Sequence, residues 1–358
     1  MVALSLFLAA LPTALAAAPS QFTIIDIGAL GTGTGTSEGY GINNAGQVVG
    51  RTDPGDGTTH AFRWEGGVLT DMGAGPGDYA LAEGINASGV ACGFVRSGAP
   101  LLTNEAHTWD TAGSPYNLHA LGGEWSEAYG LNDDAHVVGG AETAAGALHA
   151  FYWDGAGMQD LHPGGFESYA YGVNNAGTAV GGWGNWINDN GDPYTPCRWD
   201  GGVKADLADL GGIWGEAYGI NEGGVIVGQV EAAGAEYHAV YWDGTGVHDI
   251  HPAFADTSLA NSVNETGQIV GWYWSGGVSK AYLWDGSLAL DLNTLTHAAD
   301  AGWDLLEAWD INDQGWIVGY GTNPDGLGRA FLLVPEPATL TLLALGAAAA
   351  MWRRRRAY

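Results

Sequence analysis

The stretch Gly41-Ile42-Asn43-Asn44-Ala45-Gly46-Gln47-Val48-Val49-Gly50 decides the fold. Apolar and β-branched residues flank an Asn-x-x-Gly turn on both sides, the pattern of two short antiparallel strands joined by a tight hairpin. In such a turn the Asn side chain bonds local backbone and the Gly takes a positive φ. The element recurs seven times, with its Asn at Asn43, Asn86, Asn132, Asn174, Asn221, Asn264 and Asn312. The copies lie roughly 45 residues apart, a period that marks repeated supersecondary units.

Two further elements repeat in step with the first. His60-Ala61-Phe62-Arg63-Trp64-Glu65 follows the turn, and its Trp returns at Trp109, Trp153, Trp199, Trp242 and Trp284, with Leu333 in that place in the seventh copy. An acidic element closes the unit as Asp71-Met72-Gly73, Asp160-Leu161, Asp209-Leu210-Gly211, Asp249-Ile250 and Asp291-Leu292. The pattern predicts a third strand over 60–64, ended by Glu65-Gly66-Gly67, and a fourth over 68–72. Four antiparallel strands per unit are a propeller blade, and one such sheet cannot bury both faces alone, so the units must stack. The seventh copy stops after Ala330-Phe331-Leu332-Leu333-Val334 without a fourth strand. Ahead of the first copy stands an orphan, Phe22-Thr23-Ile24-Ile25-Asp26-Ile27-Gly28. The expected fold is therefore all-β: a seven-bladed β-propeller over residues 19–334, closed by the N-terminal strand pairing with the last unit. An open solenoid is the alternative, and it gives no reason for a displaced strand.

Composition narrows the function. Forty Asp and Glu face eleven Lys and Arg, a formal charge of −29, and four of the eleven are Arg353, Arg354, Arg355 and Arg356. Such a surface repels phosphate backbones, which excludes nucleic acid as a partner. Sixty Gly, 13 Pro and 16 Trp with only 14% charged residues suit short strands and turns, not a helical bundle or a solvated disordered chain.

Residues 1–18 carry no charged side chain, hold an apolar core at 4–11, and offer Ala14-Leu15-Ala16 and Ala16-Ala17-Ala18 to a signal peptidase. They read as a secretory signal peptide, although no Lys or Arg precedes the apolar run. At the other end, residues 335–358 form a separate tail. It starts at the motif Val334-Pro335-Glu336-Pro337, passes through an apolar run over 338–352, and ends on the four Arg. Fifteen helical residues span roughly 22 Å, so this is a short transmembrane helix, with its Arg cluster held in the cytoplasm. The tripartite tail resembles the PEP-CTERM sorting signal of Gram-negative bacteria. The resemblance implies recognition and cleavage by an exosortase near the Pro-Glu-Pro element, an exported location in the periplasm, at the outer surface or in the extracellular matrix after a transient inner-membrane anchoring, and an association with exopolysaccharide. The repeats themselves, over residues 37–334, resemble the HAF repeat, named for the triplet at His60-Ala61-Phe62 and His149-Ala150-Phe151. That resemblance implies an extracellular repeat protein and no defined activity. Copies such as Thr195-Pro196-Cys197 and Lys280-Ala281-Tyr282 depart from the triplet, which argues against a shared His ligand.

Candidate chemistry centres on carboxylates. Five residues before the turn Asn stand Glu38, Glu127, Glu216 and Glu307, where the even-numbered units carry Leu81, Tyr169 and Leu259. Strand alternation puts these Glu on the face shared by Tyr40, Tyr129, Tyr218 and Trp309. With the first strand innermost, they ring one mouth of a central channel, suited to Ca²⁺ or to a cationic or hydroxyl-rich ligand; the plainer alternative is solvated turn carboxylates. Trp125 and Trp214 precede two of these strands and could stack on sugar rings or pack as lids. Asn188, Asn190 and Asp192 space oxygen donors as a Ca²⁺ loop does, but the Gly comes too early for an EF-hand, leaving a plain loop as the other reading. Cys92 and Cys197 fall a whole unit apart and are expected as buried thiols. No nucleophile motif is present. The expected function is a non-catalytic exported surface or matrix protein that binds glycan, with a propeller-based glycan lyase or hydrolase and a Ca²⁺-dependent adhesin as rivals.

Overall fold

The computed structural model describes residues 22–31, 34–100, 103–162, 166–185, 193–295 and 301–336. The leader over 1–18, the loop of Asn188, Asn190 and Asp192, and the tail from Pro337 through the apolar run to Arg353–Arg356 lie outside them. Residues 22–335 form one compact unit. No helix among the described residues is long and apolar enough to cross a membrane.

The chain is all-β. The first unit shows how each repeat is laid out: strands Thr36–Ile42, Val48–Asp53, His60–Glu65 and Val68–Gly73 pair in order, all antiparallel. Five such four-stranded sheets stand alone, and a sixth of eight strands is two four-stranded halves joined at the single parallel pair Tyr194↔Trp214. The orphan strand Phe22–Gly28 pairs antiparallel with Gly328–Pro335, from Phe22↔Pro335 to Gly28↔Ala330. It supplies the outermost strand that the last unit lacks, so the last unit shows no unpaired hydrophobic edge there. One turn of helix, Leu292–Leu295, follows the sixth unit.

The acidic element does more than end a strand. His60 bonds Asp71, His149 bonds Asp160 and His238 bonds Asp249, each Nδ1 to carboxylate at 2.8–2.9 Å, which clasps the third strand to the fourth. The same carboxylates accept the backbone N–H two residues on. In the last unit Asp26 of the orphan strand takes this place, opposite Phe331, and caps Gly28 N–H at 2.8 Å. The expectation of Asp209 as the fourth-unit copy is corrected by the register: Asp206 stands opposite Cys197 as Asp71 stands opposite Phe62. Asp209 instead turns the chain by accepting Gly211 N–H, a local Asx turn that mimics the element.

The turn Asn residues tie the units together. All seven are buried. Asn43 Oδ1 accepts Ala45 N–H and Gln47 N–H inside its own hairpin, while its Nδ2 donates to Asn86 O at 3.0 Å in the next unit. Asn86 reaches Asn132 O, Asn132 reaches Asn174 O, Asn174 reaches Asn221 O, Asn221 reaches Asn264 O and Asn264 reaches Asn312 O. Asn312 then donates to Asn43 O at 3.1 Å, so the chain of bonds returns to its start after seven steps. Only an amide fits, because the position needs an acceptor for its own turn and a donor for its neighbour. The fourth residue of each turn has φ between 59° and 86°, and in unit three it is Ala135 where the other copies have Gly.

The hydrophobic core lies between sheets. Val49 and Ala61 of unit one pack with Ala80, Ala82, Val95 and Trp109 of unit two. Ile42, Val48, Phe62 and Trp64 pack with Val318, Ala330 and Leu332 of unit seven. Trp64, Trp109, Trp199 and Trp242 are all buried, as stacking of one sheet on the next requires. Cys92 and Cys197 are free and fully buried.

Candidate functional site

The first strand of every unit contributes one side chain to an axial cavity, and the contributing position lies three residues before the ring Asn. Around the ring these are Tyr40, Glu83, Tyr129, Tyr171, Tyr218, Asn261 and Trp309. With Leu259 and Trp272 they line a space of about 350 Å³. The rings lean on each other: Tyr40 meets Trp309 edge-on at 5.2 Å between centroids, Tyr129 meets Tyr171 at 5.1 Å and Tyr171 meets Tyr218 at 5.3 Å. Asn261 donates to Ala308 O at 2.8 Å, which turns its carbonyl side free of that bond.

Three of the four Glu of the sequence pattern stand behind this wall as hydrogen-bond acceptors. Tyr40 O–H donates to Glu38, which also pairs with Arg51 at 2.7 Å. Tyr129 O–H donates to Glu127 at 2.8 Å, and Asn104 Nδ2 donates to its other oxygen. Glu216 is almost wholly buried, at 2% exposure, and accepts Tyr171 O–H at 2.8 Å and Tyr218 O–H at 2.6 Å. Burial pushes its carboxyl up to about 7 against the pull of those hydroxyls. Burial also raises Glu127, and burial plus the charge of Glu38 raises Glu307. The alternative of solvated turn carboxylates therefore needs correcting at Glu216. The four do not gather either: among the described residues no three His, Cys, Asp or Glu side chains form a metal-holding group.

Trp125 and Trp214 are half-buried and packed on Tyr, not presented freely. Trp125 meets Tyr169 edge-on at 6.4 Å, and Trp214 stacks on Tyr194 at 6.2 Å and meets Tyr237 at 5.3 Å.

The residue that sequence reading missed is Glu83. It occupies the Tyr position of unit two, between Tyr40 and Tyr129, so it is the single carboxyl among the seven cavity positions. Unlike Glu38, Glu127 and Glu216, it accepts no hydrogen bond among the described residues. Burial, then Glu127 and Glu38, push its carboxyl up to about 8, with Arg51 pulling down. The signal was present, because Glu83 is three residues before Asn86, but the Glu at the other register drew the eye.

Below the Asn ring a second space of about 270 Å³ is bordered by a polar collar one residue beyond each Asn. Backbone N–H groups of Ala87, Asp133, Asn175, Glu222, Glu265 and Asp313 each donate to the side chain of the next unit's collar residue. These carboxylates, with the amides of Asn44 and Asn175, act as inter-unit braces. Burial and the neighbouring Glu265 and Asp133 raise Glu222, against the N–H it accepts from Asn175.

Residues 333–356 match the PEP-CTERM protein-sorting motif. The motif marks an exported protein of Gram-negative bacteria, anchored in the membrane before an exosortase processes it. No curated protein matches the chain. The fold resembles the β-propeller domain of the Trilobed protease from Pyrococcus furiosus, with a TM-score of 0.55 at 11% identity, covering 83% of this chain and 95% of that one. It also resembles a puromycin-hydrolyzing peptidase of Mycobacterium tuberculosis, with a TM-score of 0.53 at 13% identity, covering 87% of this chain and 54% of that one. At such identities the likeness concerns the fold alone. Together with the strand order, it makes the chain an all-β protein of propeller-like architecture.

Proposed function

We propose that this chain is an exported, non-catalytic binding module: a seven-bladed propeller of HAF-like repeats, closed through its first strand, whose axial cavity takes a glycan at the cell surface or in the matrix. The domain limits of that reading are a leader over 1–18, the propeller over 19–334 and the sorting tail over 335–358. The seven-step ring of Asn bonds and the pairing of Phe22–Gly28 with Gly328–Pro335 support the blade count and the closure. The observation that carries the binding reading is the cavity wall. Five aromatic residues line it as apolar partners for sugar C–H groups, and the Glu behind them hold the Tyr hydroxyls in place for polar contacts. The sorting motif supports export of such a wall, and the proposed polysaccharide ligand is one that an exported protein meets.

The test is a glycan-array screen with the full chain, wild type and Tyr171→Ala. The expected result is binding to a defined glycan class that the variant loses. Silence across all glycans overturns the reading.

One observation favours a second reading, cleavage of the glycan. Burial and the nearby Glu127 push the Glu83 carboxyl up to about 8, so it holds a proton at neutral pH, and a protonated carboxyl near a second one suits the acid of an acid–base pair. Release of reducing sugar ends by wild type but not by Glu83→Gln establishes that reading; undiminished release by the variant removes it.

A further inference from the structure

We infer that the axial cavity is built for an organic ammonium group, held between the Glu83 carboxylate and the faces of Tyr40, Tyr129 and Trp309. The inference rests on the binding reading above and sharpens it: the glycan that enters is an amino sugar with its amine free.

The cavity has the composition of a cation cage. Aromatic faces carry negative potential and attract a cation within about 6 Å of a ring centroid, more strongly where water is excluded. Five of the seven wall positions are aromatic, Trp272 adds a sixth ring, and the remaining pair are Glu83 and Asn261. No Lys or Arg lines the space. A neutral sugar needs rings and hydroxyl partners but has no use for an unpaired carboxyl. An ammonium needs that carboxyl, because its charge must be matched once it leaves water. Glu83 is the one wall carboxyl left without a hydrogen-bond donor among the described residues. Its charged surroundings are Glu38 and Arg51 of unit one and Glu127 of unit three, with Cys92 of its own sheet and the hydroxyls of Tyr40 and Tyr129 nearby. Arg51 is already engaged by Glu38, so it does not neutralise Glu83 outright. The acidic surface adds long-range attraction for a polycation and none for an acidic polysaccharide.

Titration follows from that arrangement. Alone, Glu83 holds a proton up to about pH 8. An ammonium displaces the proton, so a ligand that stays charged throughout gains affinity as pH rises towards 8 and levels off above it.

The experiment is calorimetry with the full chain in mild detergent against three probes: glucosamine oligomers, their fully N-acetylated counterparts, and spermidine. The inference expects glucosamine oligomers to bind and the N-acetylated ones to bind at least about tenfold more weakly. It expects Glu83→Gln to lose about tenfold or more of the glucosamine affinity, and Trp309→Leu to weaken it with the apolar volume kept. Equal binding of both sugar series overturns the inference and leaves the glycan reading standing. Binding of spermidine alone keeps the ammonium site and overturns the amino sugar as its occupant. No binding by any probe overturns the inference and leaves the glycan reading to the array. Thermal melting of each variant separates loss of binding from loss of fold, and spermidine affinity that does not rise between pH 6 and pH 8 also counts against Glu83 as the partner.

Discussion

At the scale of single residues, the ring Asn is the most constrained side chain in the molecule. Its oxygen serves its own hairpin and its nitrogen serves the next unit, so Asn→Asp keeps the first role and inverts the second. Asn312→Asp sets a carboxylate against Asn43 O at the junction of the last and first units. The expected cost is about 2–4 kcal/mol at neutral pH, shrinking in acid as the introduced carboxyl takes a proton and regains a donor. Urea unfolding at two pH values measures it. Ala135 gives the opposite case. It holds φ at 59° where the other six copies use Gly, and an L side chain in the left-handed region costs roughly 1–2 kcal/mol. Ala135→Gly returns part of that to the unfolded chain as entropy, so a net gain of about 0.5–1 kcal/mol is expected in the same assay. Sequence reading placed the hairpins correctly because the turn chemistry is local. It credited the Asn to its own turn alone, since nothing local announces the donor to the neighbouring unit.

Acids wholly or partly withdrawn from solvent shape the pH behaviour of the inner strands. Glu83 titrates near 8, Glu216 near 7 and Asp310 near 6, each raised first by burial. A carboxyl whose folded-state affinity for the proton exceeds its unfolded-state affinity stabilises the fold below the unfolded value and loses that contribution as pH rises through the folded one. The melting temperature is therefore expected to fall between about pH 5 and pH 8, and Glu83→Gln to flatten the upper part of that fall. A melting temperature that is level or rises over this range contradicts the burial assigned to these groups.

At the scale of elements, the strand Phe22–Gly28 is the piece whose removal says most. It buries Phe22 and Ile27 and covers the edge of Gly328–Pro335. A chain lacking residues 1–28 is expected to unfold at lower denaturant and to self-associate through the bared edge, seen as concentration-dependent light scattering. The displaced strand was legible because it carries the acidic element, Asp26-Ile27-Gly28, in front of the first unit. The fourth-unit acidic element was misplaced by three residues for the converse reason: Asp209-Leu210-Gly211 has the letters, while Asp206 has the register. First strands also begin earlier than the apolar pattern implies, as in Thr36–Ile42 and the ten-residue Gly122–Leu131 and Gly211–Ile220. Gly and polar residues fill those starts, and cross-strand pairing recruits them regardless of propensity.

At the scale of the whole molecule, spacing and address were readable, and the cavity only in part. A repeat exposes its architecture because each unit restates it. A binding site on a repeat protein is written where one copy departs from the rest, and Glu83 among Tyr and Trp is such a departure. The sorting motif governs fate more than fold: Glu336→Ala is expected to leave melting unchanged while the chain keeps its tail, seen as an unshortened C-terminus by mass spectrometry. The central claim is that the first strand completes the last unit and so shuts the ring. Thr23 and Val334 stand directly opposite in that pairing. Cysteines placed at both positions in the exported protein are predicted to form an intrachain disulfide, found as a cross-linked peptide after digestion. Thiols at both sites that remain open to alkylation, or disulfides found only between chains, would contradict the account.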